Sequence, residues 1–427
     1  MSTATPLHLE TCLGALSVRD LEGICFPAPA ADAADQWRRL LQLKLRVVTE
    51  RLLARAVAEA PAALAPGLAA TQHVVARLDA QAWLTTFTSA VAFQPLDNDT
   101  SAEGRGVPDA VAWCLALPRF LIGAPDVREM QVFFPPQVLP AAGLYLPHLH
   151  ALLSPGPTGG PVAVAVGPVN LTFTWTDGNV LTLPRSREAL DALRGESLPR
   201  MVLLPWLSQW PLLNGAPEVQ AATARFWEAM RGPAVRAADL AAGWRSGPEE
   251  HGIFAEGLAL LEHVWPEAAA SAMRTARGLV FLPHKRDGHY HSYTTVKLHG
   301  AIVTTALNRV QVADVLVHEA AHTRMSPLFE LDPLIQDDGQ AIHPSPWRAD
   351  PRPLKGLLNG VQAFMNVHHF FQRLPDLPDW PKSRTALILE EQKAKLVAGW
   401  RYLTDHTEPT PLGALIFAEL DAAVKAL

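Results

Sequence analysis

The sequence predicts an α+β chain, mainly helical, with short antiparallel strands or hairpins and one helix that carries a metal-binding HExxH motif. Three observations lead there. Apolar residues recur at three- and four-residue spacing through long Ala- and Leu-rich stretches, the period of amphipathic helices. Short runs rich in valine, threonine and aromatic residues interrupt them, one alternating with period two around the turn signal Asp177-Gly178. Strands come in runs and helices in runs, which is the order of an α+β fold and not of a βαβ repeat.

The elements follow in order. Residues 34–82 read as helical, with 36–60 amphipathic, Pro61 and Pro66 as breaks, and a second helix over 69–84. The polar stretch 97–106 (DNDTSAEGRG) reads as a surface loop. Strands are expected at 132–136 and 162–166, a hairpin over 171–183, and a short apolar strand at 201–207. Helical patterning returns at 219–230 and 249–265. A strand at 278–283 and one or two more within 288–307 precede a helix over 310–325, which buries Val312, Val315, Leu316 and Val317. Pro327 is expected to end that helix, because proline lacks the N–H and clashes with the preceding turn. A proline-rich connection leads to helices over 354–374 and 383–402. Three regions emerge: a helical one at 1–130, a mixed hairpin and helix region at 131–245 suited to holding a peptide, and a metal-binding region at 246–427.

Composition narrows the function. Hydrophobic residues make up 49% and charged residues 18% of 427, so the chain buries a sizeable core and is far from a disordered composition. A net charge of −6 argues against a general nucleic-acid binder, which needs a basic face. Three cysteines, Cys12, Cys25 and Cys114, with no CxxC exclude a disulfide scaffold and a cysteine-rich zinc module. No apolar run is long enough to span a membrane, and the opening residues have no basic n-region, so a reducing, cytoplasmic setting is expected.

The chemistry centres on His318-Glu319-Ala320-Ala321-His322. On a helix, positions i and i+4 share a face one turn apart, so two imidazoles can grip one ion. Glu319 then sits where it can reach a metal-bound water. A third ligand is left open. The longer HxxGxxH extension is absent, because Thr323 to Leu328 follow His322. Glu330 is favoured, on the premise that Ser326-Pro327 folds the chain back; on a straight helix it would stand about 12 Å away. His343 is the runner-up, and His368 or His369 follows, with at most one of these two facing inward. Two histidines and a carboxylate with open positions form the facial triad of non-haem Fe(II) oxygenases. Arg348 and Arg352 lie in the proline-stiffened segment 343–354, where a guanidinium can grip a carboxylate bidentately or simply pair with Asp350.

LVHEAAH (316–322), the acid in LFELDPL (328–334), SPWRADPRPLKGLLNG (345–360) and VQAFMNVHHFF (361–371) together resemble the HExxH-type proteins of bacterial peptide natural-product clusters. That family is one of 2-oxoglutarate-dependent β-hydroxylases acting on ribosomally made precursor peptides, and the resemblance covers residues 275–375. It implies an iron(II) centre at His318 and His322, with Glu330 as the matching acid. Arg348 or Arg352 would hold the 2-oxoglutarate carboxylate. The chain departs from the pattern where relatives carry a helix histidine, having Asn359 just before the glycine and Phe364 four residues after it. His368, one turn beyond Phe364, is the substitute the sequence offers. Three readings stand at this point: an Fe(II) and 2-oxoglutarate peptide hydroxylase, a zinc(II) peptidase with Glu319 as general base, and a non-catalytic peptide-binding relative.

Overall fold

The computed structural model describes residues 24–27, 49, 53–76, 92–93, 109–124, 127, 129–139, 143–157, 159–215, 247–282, 291–294, 298–337 and 339–427. The expected loop at 97–106 and helix at 219–230 lie outside these residues, as does Cys12. Within them the architecture is mixed: about half helical, with short, mostly antiparallel sheets. No described helix is long and apolar enough to cross a membrane.

The first part is strand-rich. Helices α1 (Ala65–Ala76) and α2 (Asp109–Ala116) precede strands β1 (Met130–Phe134), β2 (Leu144–Leu146), β3 (Ala151–Leu153), β4 (Val162–Val166), β5 (Asn170–Trp175) and β6 (Val180–Pro184). Helix α3 (Arg187–Ala192) and strand β7 (Met201–Leu203) complete it. Strands β1, β4, β5 and β6 form an antiparallel sheet in that order, and β3 pairs with β2 and β7 in a second. The period-two reading holds residue by residue: Leu171, Phe173 and Trp175 are buried while Thr174 faces out. The β5–β6 hairpin turns at Asp177-Gly178, where Gly178 has φ +84° and no Cβ to object. One apolar interior runs from Ala56 to Met201, so the core crosses position 130 without a break.

The second part is built on helices. Helix α4 (Pro248–Val264) ends at Trp265, and Pro266 starts α5 (Pro266–Thr275) as an N1 proline. The sequence reading found the first and missed the second, because the two run on with only one residue between them. Strands β8 (Gly278–Phe281), β9 (Ser292–Tyr293) and β10 (Ala301–Thr304) form a small sheet in which β10 lies between β8, parallel to it, and β9, antiparallel. Asn308 then caps helix α6 (Arg309–Leu331), its side chain accepting from the Gln311 N–H.

Helix α6 differs from expectation at its end. Pro327 does not stop it; the backbone stays helical to Leu331. Met325 and Leu328 flank the proline and are both fully buried, at 0% exposure, in the core formed with the last helices. Burying each contributes about 1.5–3 kcal/mol. Together they offset the roughly 3 kcal/mol that an interior proline costs.

Beyond α6, strands β11 (His343–Ser345) and β12 (Arg348–Arg352) form a hairpin in the proline-rich segment. Helices α7 (Leu354–Arg373), α8 (Lys382–His406) and α9 (Pro411–Lys425) close the chain. The β11–β12 hairpin and α9 were not read from sequence. Helix α6 is the axis: α4 and α5 pack on one side and α7 on another. Gly257 lets α4 come close, since a Cβ there would lie 2.5 Å from Val312. The segment 24–27 is clamped behind this helix pair. The Cys25 carbonyl accepts from Arg324 (3.2 Å), Gln362 (2.8 Å) and Asn366 (2.9 Å), and its N–H donates to Glu419 (3.1 Å). Arg324 and Asn366 lie two residues past His322 and Phe364, so this clamp fixes the backs of helices whose fronts form the site.

Candidate metal centre

His318 and His322 converge from successive turns of α6, with their Nε2 atoms 3.0 Å apart. Two nitrogens each about 2.1 Å from one ion, at about 90–110°, stand roughly 3.0–3.4 Å apart. The spacing fits a histidine–histidine hydrogen bond and is also one at which both nitrogens could reach a single ion. Burial keeps both rings neutral, the form that ligates. It lowers His318 well below the usual histidine range, helped by the charge of His322. It lowers His322 to about 4; hydrogen bonding to Asn359 opposes this and the positive charge of Arg352 adds to it.

Glu319 is 1% exposed. Burial raises its carboxyl to about 7, against hydrogen bonds from Ser292 and Thr294 and with help from the charge of Asp314. One oxygen, Oε2, is buried without a hydrogen-bond partner among the described residues. The sequence reading missed Ser292 and Thr294. Their i, i+2 spacing beside a valine- and threonine-rich run was the available signal, since alternate strand residues share a face.

Helix α7 and the hairpin wall the pair. The Phe364 ring meets His318 edge-on, centroids 4.8 Å apart, and Trp347 stacks flat on Phe364, centroids 4.8 Å apart and planes 5° from parallel. Asn359 approaches His322, and both His322 Nδ1 and Asn359 Oδ1 are buried without another partner among the described residues. The two positions where the chain departs from the resembling family therefore both face the HExxH histidines.

No family model matches this chain, and no curated protein matches it.

The expected third ligands fare differently. The fold-back that would carry Glu330 to the pair does not form, because α6 continues through Pro327. Eight residues along an unbroken helix advance about 12 Å. The Glu330 side chain itself lies outside the described residues. His343 packs elsewhere: its Nδ1 is 3.3 Å from the Tyr402 hydroxyl, and its ring neighbours Tyr402 and His406 of α8. His368 is buried and lies within reach of the Lys393 charge on α8, which with burial lowers its pKa. His369 meets Phe26 and Trp265. Among the described residues, no three His, Cys, Asp or Glu side chains are grouped to hold an ion. Among the described residues the His318–His322 pair alone is assembled.

The arginines separate as well. On β12, residues 348, 350 and 352 share one face, and Asp350 pairs with both Arg348 (2.9 Å) and Arg352 (3.3 Å). Arg352 is the one whose charge acts on His322. Asp337, one of the acids downstream of the motif, accepts the Lys355 N–H at 2.8 Å and so caps the start of α7.

Proposed function

We propose that this chain is an Fe(II)- and 2-oxoglutarate-dependent hydroxylase of side chains in a ribosomally made precursor peptide. The observation that carries the reading is the half-buried, neutral Nε2 pair at 3.0 Å, with the Arg352 guanidinium in electrostatic reach of His322. An iron(II) ion supplied with 2-oxoglutarate and dioxygen would provide the oxidising power for inserting oxygen into a Cβ–H bond. The residues have separable tasks. His318 and His322 hold the ion through Nε2. Arg352 has guanidinium N–H groups beyond those on Asp350 and binds a carboxylate of the co-substrate. Phe364 and Trp347 keep one side of the centre dry. Glu319, held by Ser292 and Thr294, orients a ligand or water from the inner side. Iron(II) and a nascent peptide both suit a reducing cytoplasm, the setting we assign; Cys25 and Cys114 are buried free thiols.

A specific observation favours a second reading, a zinc peptidase. A carboxyl near 7 with an unpaired buried oxygen is poised to act as a general base on water. One experiment divides the two. Anaerobic Fe(II) protein is titrated with 2-oxoglutarate and followed in the visible. The hydroxylase reading expects a weak charge-transfer band that saturates in wild type. Half-saturation should rise about tenfold or more in Arg352→Leu and less than about threefold in Arg348→Leu. Iron binding without the band, with Glu319-dependent peptide cleavage by the zinc-loaded protein, would establish the peptidase instead.

A further inference from the structure

Trp347 stands at the tip of the β11–β12 hairpin, between the paired residues Ser345 and Arg348. A tryptophan on a two-residue turn would ordinarily wave in solvent. Here it is locked on three sides. Gly360 of α7 lies under its ring, where a Cβ would sit 3.5 Å away. Gly399 of α8 is tighter, and a Cβ there would come within 2.9 Å of the ring. The indole N–H donates to the Gln392 side chain at 3.3 Å. The remaining face lies flat on Phe364, and Phe364 touches His318. A second pin, His343 on Tyr402, holds the other end of the hairpin, and His343 is the cross-strand partner of Arg352. One contact path therefore runs from α8 through Trp347 and Phe364 to His318, and a separate one from α8 through His343 to the strand position paired with Arg352.

We infer that Trp347 is a positioning residue for the metal centre: through Phe364 it fixes the ring of His318, while His343 anchors the hairpin end that carries Arg352. This rests on the reading of the histidine pair as a metal site. A ring free to rotate about χ2 presents Nε2 only part of the time, and its partner turn cannot correct that. A flat aromatic at 347 preserves the stack, whereas an aliphatic side chain of similar bulk removes it.

The test uses Co(II) as a spectroscopic probe in the full chain, with titration followed by its d–d absorption and folding followed by circular dichroism. Trp347→Leu is expected to bind Co(II) about tenfold more weakly with an altered d–d envelope, and Trp347→Phe to regain most of both. Gly399→Ala guards against simple misfolding. Alanine favours the helix more than glycine does, yet its Cβ displaces the indole, so affinity should fall in a protein whose α8 is intact. A folded Trp347→Leu or Gly399→Ala protein with wild-type affinity and spectrum overturns the inference. A wild-type chain that binds no Co(II) removes the metal centre, and this role with it.

Discussion

The metal-free protein carries an electrostatic load at Glu319 whose size can be measured. Burial is the main cause that pushes this carboxyl up to about 7 in the folded chain, from the 4.5 of an ordinary glutamate. Between those values the folded state binds more protons than the unfolded state. The contribution is fully present below pH 4.5 and is lost as pH rises through 7. At about 1.36 kcal/mol per tenfold, the full change is about 3 kcal/mol. His322 works in the opposite sense. Its folded value of about 4 lies below the 6.5 of an ordinary histidine, so its contribution grows as pH rises across that window. The wild-type profile is therefore a near-cancellation, and the difference between two proteins is the informative quantity. Glu319→Gln keeps the shape and an oxygen to accept from Ser292 or Thr294, but cannot ionise. In chelator-treated protein unfolded by urea, the stability of the Gln variant relative to wild type should grow by about 2.5 kcal/mol between pH 5 and pH 8. A difference that stays constant within about 0.5 kcal/mol would show that the folded site does not raise this carboxyl, and the case for a poised base would go with it.

Four further outcomes follow from the geometry. His318→Ala should abolish Co(II) binding in a calorimetric titration, and retention of one full equivalent would refute the pairing of the two imidazoles. Glu330→Ala should leave metal affinity within about twofold of wild type, because the continuous helix carries that residue about 12 Å past His322; Asp337→Ala should instead cost about 1 kcal/mol of stability through the lost cap on the Lys355 N–H. Gly257→Ala should destabilise by about 1–3 kcal/mol in urea unfolding despite better helix propensity, since its Cβ would meet Val312 at 2.5 Å.

Much of the site was legible in the residues that make it. The His318–His322 spacing places two rings on one helical face, and the structure has them there. The Asp177-Gly178 hairpin and the helices over 248–264 and 354–373 also follow from local patterning. Other features were not legible. Prolines 344, 346, 351 and 353 argue against strand, yet a two-stranded hairpin has outer edges where a missing N–H costs nothing. Phe364 and Asn359 were visible only as departures from a pattern; that both face the HExxH histidines emerged from the packing of α7 on α6.

By itself, the sequence determined what arises within a few residues of chain: the helical period that pairs two imidazoles and the glycine that permits a turn. Such features depend on hydrogen bonds and side-chain directions one turn apart, and these hold in any tertiary setting. Only the tertiary structure decided that α6 continues through Pro327, that His343 packs on α8, and that the charge of Arg352 acts on His322. Those outcomes depend on burial energies shared by distant segments. Met325 and Leu328 hold the helix only because α7, α8 and α9 supply the other half of their core. Cys25 holds the backs of α6 and α7 from about 300 residues away in sequence. Local periodicity carries no record of partners that far off.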